Sequence, residues 1–478
     1  MVVLRSAGRW GKGIAAVLAR DLAGMKQALE SPFRPRPGLY TYRVFPPGGS
    51  RILHLRIEAG GGGTLLVDVA DAIHLNATAA LLAAMALEGR SPAEAAAALR
   101  HCPAGRRQIE RDVQTVYRLV EHLVSTTDPC PTCGLDSAGR RDLFSAPVSA
   151  PYKADLALTY GCNNACRHCY NEPGRAARPS LTPNQWREVL ERLHAVGIPH
   201  VVFTGGEPTL EPGLPELVAH ARQLGLVTGM NSNGRRLADR RFARAIAAAG
   251  LCHVQITLQS HIADVHNAMS GAAAFEETVQ GIRQALELGL HTITNTTLTR
   301  QNWGTAEETV EFLHRLGLTT FAMNGIIHAG SGCGFAGAAA EEELAPVLAA
   351  VRDRAGELGM RFLWYTPTAY CRLSPLELEL GPRRCNAAEY TVAIEPDGAV
   401  LPCQSDYRPA GNILRDDWST IWESRLFRGF RRRTADPAGF GLPAECWQCP
   451  DLAVCGGGCP LARRAAAGAV QPAEVEVG

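Results

Sequence analysis

The feature that most constrains this chain is a regular alternation of strand-like and helix-like segments between about residues 152 and 365. Six segments have the strand pattern: ADLALTY, HVVFTG, LVTGMNSN, CHVQITLQS, HTITNTTL and TTFAMNGI. A helical pattern follows each of them, as in PNQWREVLERLHAVG and FEETVQGIRQALELG. Such alternation predicts parallel strands joined by helical crossovers. We therefore expect an α/β fold whose central part is a partial, six-unit parallel barrel of the TIM type.

Polar and glycine-rich motifs follow the first four predicted strands. Three cysteines come after the first strand, TGGEP follows the second, NSNG follows the third, and LQS ends the fourth. In parallel barrels the reacting groups lie on the loops after the carboxyl ends of the strands. The sequence therefore predicts one site that is assembled from these four loops.

The three cysteines, Cys162, Cys166 and Cys169, are part of a wider use of cysteine. The chain has 15 cysteines in 478 residues and clusters them as CxxxCxxC and CxxC. No export signal stands out at the N-terminus, where we expect a short amphipathic helix around residues 13–19. In a long chain without such a signal, this pattern favours metal-binding thiolates in a reducing cytoplasm over disulfides.

The order CxxxCxxC and then GGEP resembles the radical S-adenosylmethionine superfamily. The resemblance implies that Cys162, Cys166 and Cys169 hold three irons of a [4Fe-4S] cluster. It also implies that the fourth iron binds the amino and carboxylate groups of S-adenosylmethionine, which is cleaved to a 5'-deoxyadenosyl radical. Zinc is the alternative metal, but no fourth cysteine or histidine has zinc-knuckle spacing.

The resemblance further implies contacts to S-adenosylmethionine. His168 matches an aromatic position that contacts adenine in the family, and Glu207 can accept hydrogen bonds from the methionyl ammonium. The expected cofactor-binding residues are His168, Gly205, Gly206, Glu207, Pro208, Asn231, Ser232, Asn233, Thr257 and Gln259. Relatives have HDxxRG after the fourth strand, where this chain has HNAMSG. Ser270 thus replaces an arginine that can pair with the methionyl carboxylate, so that contact must differ.

A third region, residues 366–465, contains GxxxxC followed by CxxCxxxxxCxxxC. This spacing resembles the SPASM domain, which carries auxiliary iron-sulfur clusters. The implied ligands are Cys385, Cys403 and Cys459, with Cys371 as the fourth, for a first auxiliary cluster, and Cys446, Cys449 and Cys455 for a second. Two zinc sites are the alternative, because the same thiolates bind zinc.

Two features of the cysteine pattern leave alternatives open. Relatives have a further cysteine beyond the CxxxC, but none follows Cys459 in this chain. Either the second auxiliary cluster has a distant or non-cysteine ligand, or one iron is open and can bind a substrate thiolate. Cys130 and Cys133, in PCPTCG, can donate a ligand, bind zinc or form a redox pair.

The first region, residues 35–125, predicts a small winged-helix module. GLYTYRVF and RILHLRIEA have the pattern of a hairpin, and three helical segments follow, the first beginning near Asn76. The stretches LNATAALLAAMALEG, SPAEAAAAL and DVQTVYRLVEHL resemble PqqD, a peptide chaperone, and related recognition elements. The resemblance implies that a leader peptide adds as a strand to the sheet edge. The alternative is a purely structural cap.

The sequence thus predicts a radical S-adenosylmethionine enzyme that modifies a ribosomally made peptide by forming a thioether, a carbon–carbon crosslink or an epimer. The alternatives are a maturase of a protein-derived cofactor or of a sulfatase, a small-molecule enzyme of the superfamily, and a non-catalytic carrier of peptide or metal. The expected partners are a precursor peptide and an electron donor such as flavodoxin or ferredoxin. A net charge of +1 gives no reason to expect binding to nucleic acid, and the lack of long apolar runs gives none to expect a membrane-spanning segment.

Overall fold

The computed structural model describes most of the chain and divides it into two compact units. The described residues are 2–3, 35–47, 50–69, 71–100, 102, 104–126, 139–140, 144, 148–172 and 174–468. One unit comprises Met1–Ser149 with Leu193–Pro199, and the other comprises Ala150–Arg192 with His200–Gly478. The helix expected near residues 13–19 and the pair Cys130 and Cys133 lie outside the described residues.

A sheet of mainly antiparallel strands forms the first unit. Its strands are β1 (Val2–Val3), β2 (Gly38–Val44), β3 (Arg51–Ile57), β4 (Gly63–Val67), β5 (Asp71–Leu75) and β6 (Gly139–Arg140). Their order in the sheet is β2-β3-β4-β5-β1-β6, and only the β1–β5 pair is parallel. The predicted hairpin is confirmed as the β2–β3 pair, whereas β4 and β5 extend it into a four-stranded meander that the sequence analysis did not predict.

Three helices follow the meander: α1 (Ala77–Leu87), α2 (Pro92–Ala98) and α3 (Arg106–Ser125). Asn76 caps α1, because its side-chain oxygen accepts a hydrogen bond from the Ala79 amide at 2.8 Å. Ser91 and Glu94 form a reciprocal capping box at the start of α2. The apolar stripe predicted for α3 is buried and comprises Ile109, Val113, Val116, Leu119, Val120 and Leu123. It packs into one core with the strands and α1.

The second unit contains seven parallel strands: β7 (Lys153–Thr159), β8 (His200–Gly205), β9 (Val227–Ser232), β10 (His253–Thr257), β11 (His291–Thr297), β12 (Thr320–Asn324) and β13 (Arg361–Trp364). The connecting helices are α4 (Pro183–Val196), α5 (Leu214–Gln223), α6 (Arg240–Ala248), α7 (Ala263–Ser270), α8 (Phe275–Glu287), α9 (Ala306–Arg315) and α10 (Glu341–Glu357). All six predicted strands are confirmed, and the partial barrel is the one expected. The seventh strand was not predicted.

The third region contains little regular structure. Its elements are β14 (Thr391–Ile394), β15 (Val400–Leu401), α11 (Trp418–Trp422), α12 (Arg425–Arg432), α13 (Leu452–Cys455) and α14 (Pro460–Ala466). Strand β14 pairs in parallel with β7, so the barrel sheet continues into the third region in the order β13-β12-β11-β10-β9-β8-β7-β14-β15. Among the described residues, no helix has both the length and the apolar character needed to cross a bilayer.

The cap of α1 gives a prediction for the first unit. Replacing Asn76 by Ala removes the acceptor for the Ala79 amide and should lower the opening free energy of α1 by about 1 kcal/mol, the usual value of such a cap. Hydrogen exchange of the α1 amides in the full chain measures this. Asn76→Asp keeps an acceptor and is the matched control; equal exchange in the two variants would show that the cap does not stabilise α1.

Candidate functional site

The loops that follow β7 and β8 lie side by side at the carboxyl end of the barrel. Thr159, the last residue of β7, pairs in register with Gly205, the last residue of β8. The segment from Thr159, the last residue of β7, to residue 172 contains the three clustered cysteines and is called the cysteine loop here. The segment Gly205–Pro208 after β8 is called the GGEP turn. The predicted juxtaposition of the first two motifs is therefore present.

Two backbone hydrogen bonds join the cysteine loop to the GGEP turn. The Gly206 amide donates to the Thr159 carbonyl at 2.8 Å, and the Glu207 amide donates to the Gly161 carbonyl at 2.9 Å. A Cβ atom on Gly206 would lie 2.3 Å from the Gly161 carbonyl oxygen, and one on Gly205 would lie 2.2 Å from the Thr159 carbonyl oxygen. We expected these glycines to admit a ligand. Their close approach in the structure is to the cysteine loop itself.

Other segments fix the middle and the end of the cysteine loop. The Ala165 amide donates to the Ser270 carbonyl at 2.9 Å, and a Cβ atom on Gly271 would lie 2.2 Å from the Ala165 carbonyl oxygen. Farther along, the Gly332 amide donates to the Cys169 carbonyl at 3.0 Å. The loop is thus held by backbone contacts from three directions.

Arg235 also holds the cysteine loop in place, a role that was not predicted from the sequence. It follows the NSNG motif, and its guanidinium donates to the carbonyl of Asn163 and to the side-chain oxygen of Asn164, the latter at 3.1 Å. An ion pair with Glu277 orients it. A single arginine in a loop carries no signal of such a role in the sequence, because both its targets lie about 70 positions earlier.

The three thiols of the cysteine loop differ in exposure, since Cys162 is exposed and Cys166 and Cys169 are half-buried, yet partial loss of surrounding water acts on all three. Burial raises the pKa of Cys162, Cys166 and Cys169, to about 12 for Cys166, and the charges of its two neighbours raise it further. Neighbouring backbone amides offset only part of this; the Asn164 amide donates to the Cys162 sulfur at 3.4 Å. These positions therefore disfavour thiolates unless a cation is bound, as it is in an iron-sulfur cluster. The donor set fits such a cluster.

Glu207 is completely buried, and its carboxylate accepts several hydrogen bonds. Its Oε1 accepts hydrogen bonds from the Thr209 hydroxyl at 2.7 Å and from the Ser232 hydroxyl at 2.9 Å, and its Oε2 accepts one from the Asn233 amide at 2.8 Å. Burial raises the pKa of Glu207, while these hydrogen bonds oppose the rise. The structure brings together three predicted residues here, Glu207, Ser232 and Asn233. The Ser232 hydroxyl also accepts from the Gly234 amide at 2.9 Å.

His168 and Gln259 form a second pair of predicted residues. The Gln259 amide nitrogen lies 3.1 Å from Nε2 of His168, and its oxygen accepts from the Thr297 amide at 3.0 Å. Burial lowers the pKa of His168 to about 4, so the ring is neutral near pH 7. Because Nε2 accepts from Gln259, the ring proton lies on Nδ1. Nδ1 is buried and has no hydrogen-bond partner among the described residues, which fits an acceptor on a bound ligand.

The remaining predicted contacts lie on or beside the strands. Asn231 is next to Gln255 in register, and Thr257 is next to Asn295; Asn231 and Thr257 are both half-buried. Pro208 is buried and begins a single 3₁₀ turn. Phe335, which the sequence analysis did not single out, packs edge-on against His168 with ring centroids 6.1 Å apart.

Two separate groups of cysteines occur in the third region. Burial raises the pKa of Cys403 well above its usual value, and the nearby thiols of Cys385 and Cys459 act in the same direction. Burial likewise raises the pKa of Cys446, and the thiols that add to this effect are Cys455, Cys371 and Cys449. The thiols that act on Cys403 are two of those expected to share its cluster, whereas Cys371, also expected there, acts on the pKa of Cys446.

The arrangement in both groups differs from that of a single-ion site. Across the described part of the chain, no three histidine, cysteine or acidic side chains are placed to hold one metal ion together. A [4Fe-4S] cluster does not require such convergence, because each thiolate binds a different iron.

The contact between Gly206 and the cysteine loop gives a prediction for this site. Gly206→Ala places a methyl group against the Gly161 and Tyr160 carbonyl oxygens, so the loop must move. We expect anaerobically reconstituted protein to lose about four iron atoms per chain, those of the radical-site cluster, and to keep the auxiliary iron. Gly356→Ala is the matched control, because Gly356 lies in α10 with open space around it. Equal iron content in both variants would refute the prediction.

Comparison with known proteins supports the assignment of this site. The profile of the radical SAM superfamily matches residues 156–313, and that of the SPASM iron-sulfur cluster-binding domain matches residues 385–450. A PqqA peptide cyclase from Streptomyces rochei is 30% identical over 319 residues, which is 65% of this chain and 85% of that protein. Mycofactocin maturase MftC from Mycobacterium ulcerans is 30% identical over 332 residues, which is 67% of this chain and 86% of that protein.

Solved structures show the same fold over most of the chain. SuiB from Streptococcus suis, in a crystal structure bound to precursor peptide SuiA, superposes with a TM-score of 0.63 at 17% identity and covers 88% of this chain and 96% of its own. A structure of anSMEcpe with bound AdoMet gives a TM-score of 0.51 at 16% identity and covers 68% of this chain and 92% of its own. With the paired loops and the two cysteine groups, these similarities show that the chain is an enzyme of the radical S-adenosylmethionine superfamily that carries a SPASM domain, and that its cofactors are S-adenosylmethionine, a [4Fe-4S] cluster and auxiliary iron-sulfur clusters.

Proposed function

We propose that this enzyme modifies a ribosomally made precursor peptide, joining or inverting side chains or α-carbons by radical chemistry. The observation that carries the proposal is the 30% identity to a PqqA peptide cyclase and to mycofactocin maturase MftC, which extends over two thirds of the chain. The fold match to SuiB, whose structure contains a precursor peptide, supports it. A thioether, a carbon–carbon crosslink and an epimer are the candidate products.

In this proposal the cysteine loop holds the radical-site cluster through Cys162, Cys166 and Cys169. When bound, the cluster and S-adenosylmethionine supply a 5'-deoxyadenosyl radical that removes a hydrogen atom from the substrate. The backbone contacts around the loop keep the three sulfurs in position before any ligand binds. Preorganisation of this kind avoids an ordering cost when the cofactor is loaded.

We assign two kinds of task to the predicted cofactor-binding residues. His168 offers its Nδ1 proton to the adenine, and Gln259 behind it fixes that tautomer. Glu207 offers Oε2 to the methionyl ammonium and uses Oε1 to hold Thr209 and Ser232. The backbone of Gly205, Gly206 and Pro208, together with Asn231, Asn233 and Thr257, lines the rest of the methionyl and ribose site.

We further propose three functional regions: residues 35–125 as a PqqD-like recognition domain, residues 152–365 as the radical core and residues 366–465 as the auxiliary cluster domain. The antiparallel meander with an edge strand β2 suits the addition of a peptide strand, because an edge strand has unpaired backbone groups. The described part of the sheet ends in β6 on the other side.

The proposed partners are the precursor peptide and a one-electron donor protein such as flavodoxin or ferredoxin, because cleavage of S-adenosylmethionine consumes a low-potential electron. We place the enzyme in the cytoplasm, where thiolates stay reduced and can bind iron.

The second candidate is maturation of a protein-derived cofactor or of a sulfatase, which the sequence leaves open. A small-molecule substrate is a third possibility. Incubating the reduced enzyme with any short peptide that is encoded next to its gene separates these functions. A mass change in that peptide supports the first candidate, whereas modification of a folded protein only supports the second.

The radical site itself gives a test of enzyme chemistry. Replacing Cys162, Cys166 and Cys169 by Ala should abolish formation of 5'-deoxyadenosine while the auxiliary clusters remain, because thiolates anchor the cluster irons. Chromatography of the products under reducing conditions measures this, with Cys252→Ser as the control outside the loop. Unchanged 5'-deoxyadenosine in the triple variant would refute the site assignment.

The recognition domain gives a separate test. Removing residues 35–125 should weaken binding of the precursor peptide at least tenfold in calorimetric titration, which is a loss of about 1.4 kcal/mol or more of binding free energy. Uncoupled cleavage of S-adenosylmethionine should stay largely intact. The retained cleavage shows that the barrel is still folded. Equal peptide affinity of the truncated and complete chains would discard the leader-binding role.

A further inference from the structure

The segment Thr368–Leu373, called the 368–373 turn here, lies against the second cysteine group. The Tyr370 amide donates to the Cys455 sulfur at 3.4 Å, and the Cys455 sulfur lies 3.9 Å from the Thr368 carbonyl oxygen. A Cβ atom on Gly458 would lie 2.8 Å from the amide nitrogen of Ala369. The turn and the CxxxC segment are therefore in close backbone contact.

Hydrogen bonds within the 368–373 turn fix its shape. The amides of Arg372 and Leu373 donate to the Ala369 carbonyl at 2.8 and 2.9 Å, and the Thr368 hydroxyl donates to the Leu373 carbonyl at 2.7 Å. Cys371 lies within this closed turn, one residue after the amide that contacts the Cys455 sulfur. Its position relative to Cys455 is thus set by backbone geometry.

The side chain of Tyr370 separates the turn from the first cysteine group. Its hydroxyl accepts from the Arg383 amide at 2.9 Å and lies 3.2 Å from the Arg383 carbonyl oxygen. Tyr370 thereby reaches with its ring toward the chain before Cys385, while its backbone faces Cys455. Cys371 directly follows Tyr370, the residue whose backbone amide contacts the Cys455 sulfur.

We propose that Cys371 is the fourth thiolate of the second auxiliary cluster, with Cys446, Cys449 and Cys455. The CxxCxxxxxC cysteines supply three thiolates to this group, one fewer than the four irons of a [4Fe-4S] cluster. Cys371 supplies the missing thiolate from a position 75 residues before Cys446 in the sequence. The proposal concerns the auxiliary clusters alone and holds whatever the substrate of the enzyme is.

The assignment moves the incomplete ligand set from one cluster to the other. With Cys371 in the second cluster, the first keeps three cysteines, Cys385, Cys403 and Cys459. An external thiolate or water would then bind iron in the first cluster and not in the second. The sequence alone had suggested the reverse.

Iron content tests the proposal without peptide modification. The background is the full chain with Cys162, Cys166 and Cys169 replaced by Ala, so that only auxiliary iron is counted. After anaerobic reconstitution, we expect Cys371→Ser to lose one iron, with the electron paramagnetic resonance signal of an oxidised three-iron cluster, or to lose about four irons with the whole cluster. Cys252→Ser is the matched control, because Cys252 is half-buried beside Thr228 and lies outside both groups.

Double variants show to which cluster Cys371 belongs, since residues of one unit give non-additive losses. Cys371→Ser combined with Cys446→Ser should lose no more iron than Cys446→Ser alone, whereas Cys371→Ser combined with Cys385→Ser should lose the sum of the two single losses. Additive loss with Cys446→Ser and non-additive loss with Cys385→Ser would overturn the proposal. So would an iron content of Cys371→Ser equal to that of the control.

Alkylation of the unmodified sequence covers the case in which a variant fails to fold. In the reconstituted protein, Cys371 and Cys446 should both resist iodoacetamide, and both should react after a chelator removes the iron. Peptide mass spectrometry measures the modified fraction at each position. Cys371 that reacts equally with and without iron, while Cys446 is protected, would contradict ligation.

Discussion

The pair of backbone hydrogen bonds between the cysteine loop and the GGEP turn is the contact on which the radical site depends. These bonds join Gly206 to Thr159 and Glu207 to Gly161. The two segments can approach so closely only because Gly205 and Gly206 have no Cβ atom. The same turn places Glu207 in the interior, where it binds the end of β9 through Ser232 and the following residue, Asn233. A buried carboxylate with several donors is stable only while each donor stays in place. The position of the cysteine loop and the position of the Glu207 carboxylate therefore depend on each other.

Local patterns in the sequence were sufficient to predict the barrel strands, and long-range pairing was not predictable. The six strands β7–β12 have apolar runs of strand length bounded by glycine or polar residues, which is why each was found. Strand β13 is four residues long, and β14 pairs with β7 across more than 200 residues of sequence. Neither has a periodic pattern that reveals its partner. Strands β4 and β5 were missed because each is only five residues long and the stretch between β4 and α1 has no glycine or proline to separate the elements.

The residue types of the site were predicted better than their contacts. The cysteines, His168 and Glu207 were recognised by type and spacing, yet the structure shows Gly205 and Gly206 serving the chain's own loop. Ser270 was noted only for the side chain it lacks, whereas it is its backbone carbonyl that holds Ala165. A backbone group is supplied by any residue, so such a role leaves no trace in residue identity. Cys371 was placed with Cys385 by analogy to the SPASM domain, whereas the contact of the 368–373 turn with Cys455 is long-range and leaves no pattern in the sequence.

Tyrosines at both ends of the cysteine loop connect the radical site to the third region. Before the loop cysteines, the Tyr160 hydroxyl donates to Glu395 at 3.0 Å. After them, the Tyr170 hydroxyl lies 3.3 Å from the side-chain oxygen of Gln404, the neighbour of a first-group cysteine, and the Tyr407 hydroxyl donates to the Tyr170 carbonyl at 3.0 Å. Burial raises the pKa of all three tyrosines, so the hydroxyls stay protonated and keep donating. These bonds join both ends of the cysteine loop to the third region. Neither the loop nor that region can shift without breaking one of them, and each buried group left unsatisfied costs about 1–3 kcal/mol. The protein's own side chains thus link the cysteine loop to the segment around Cys403.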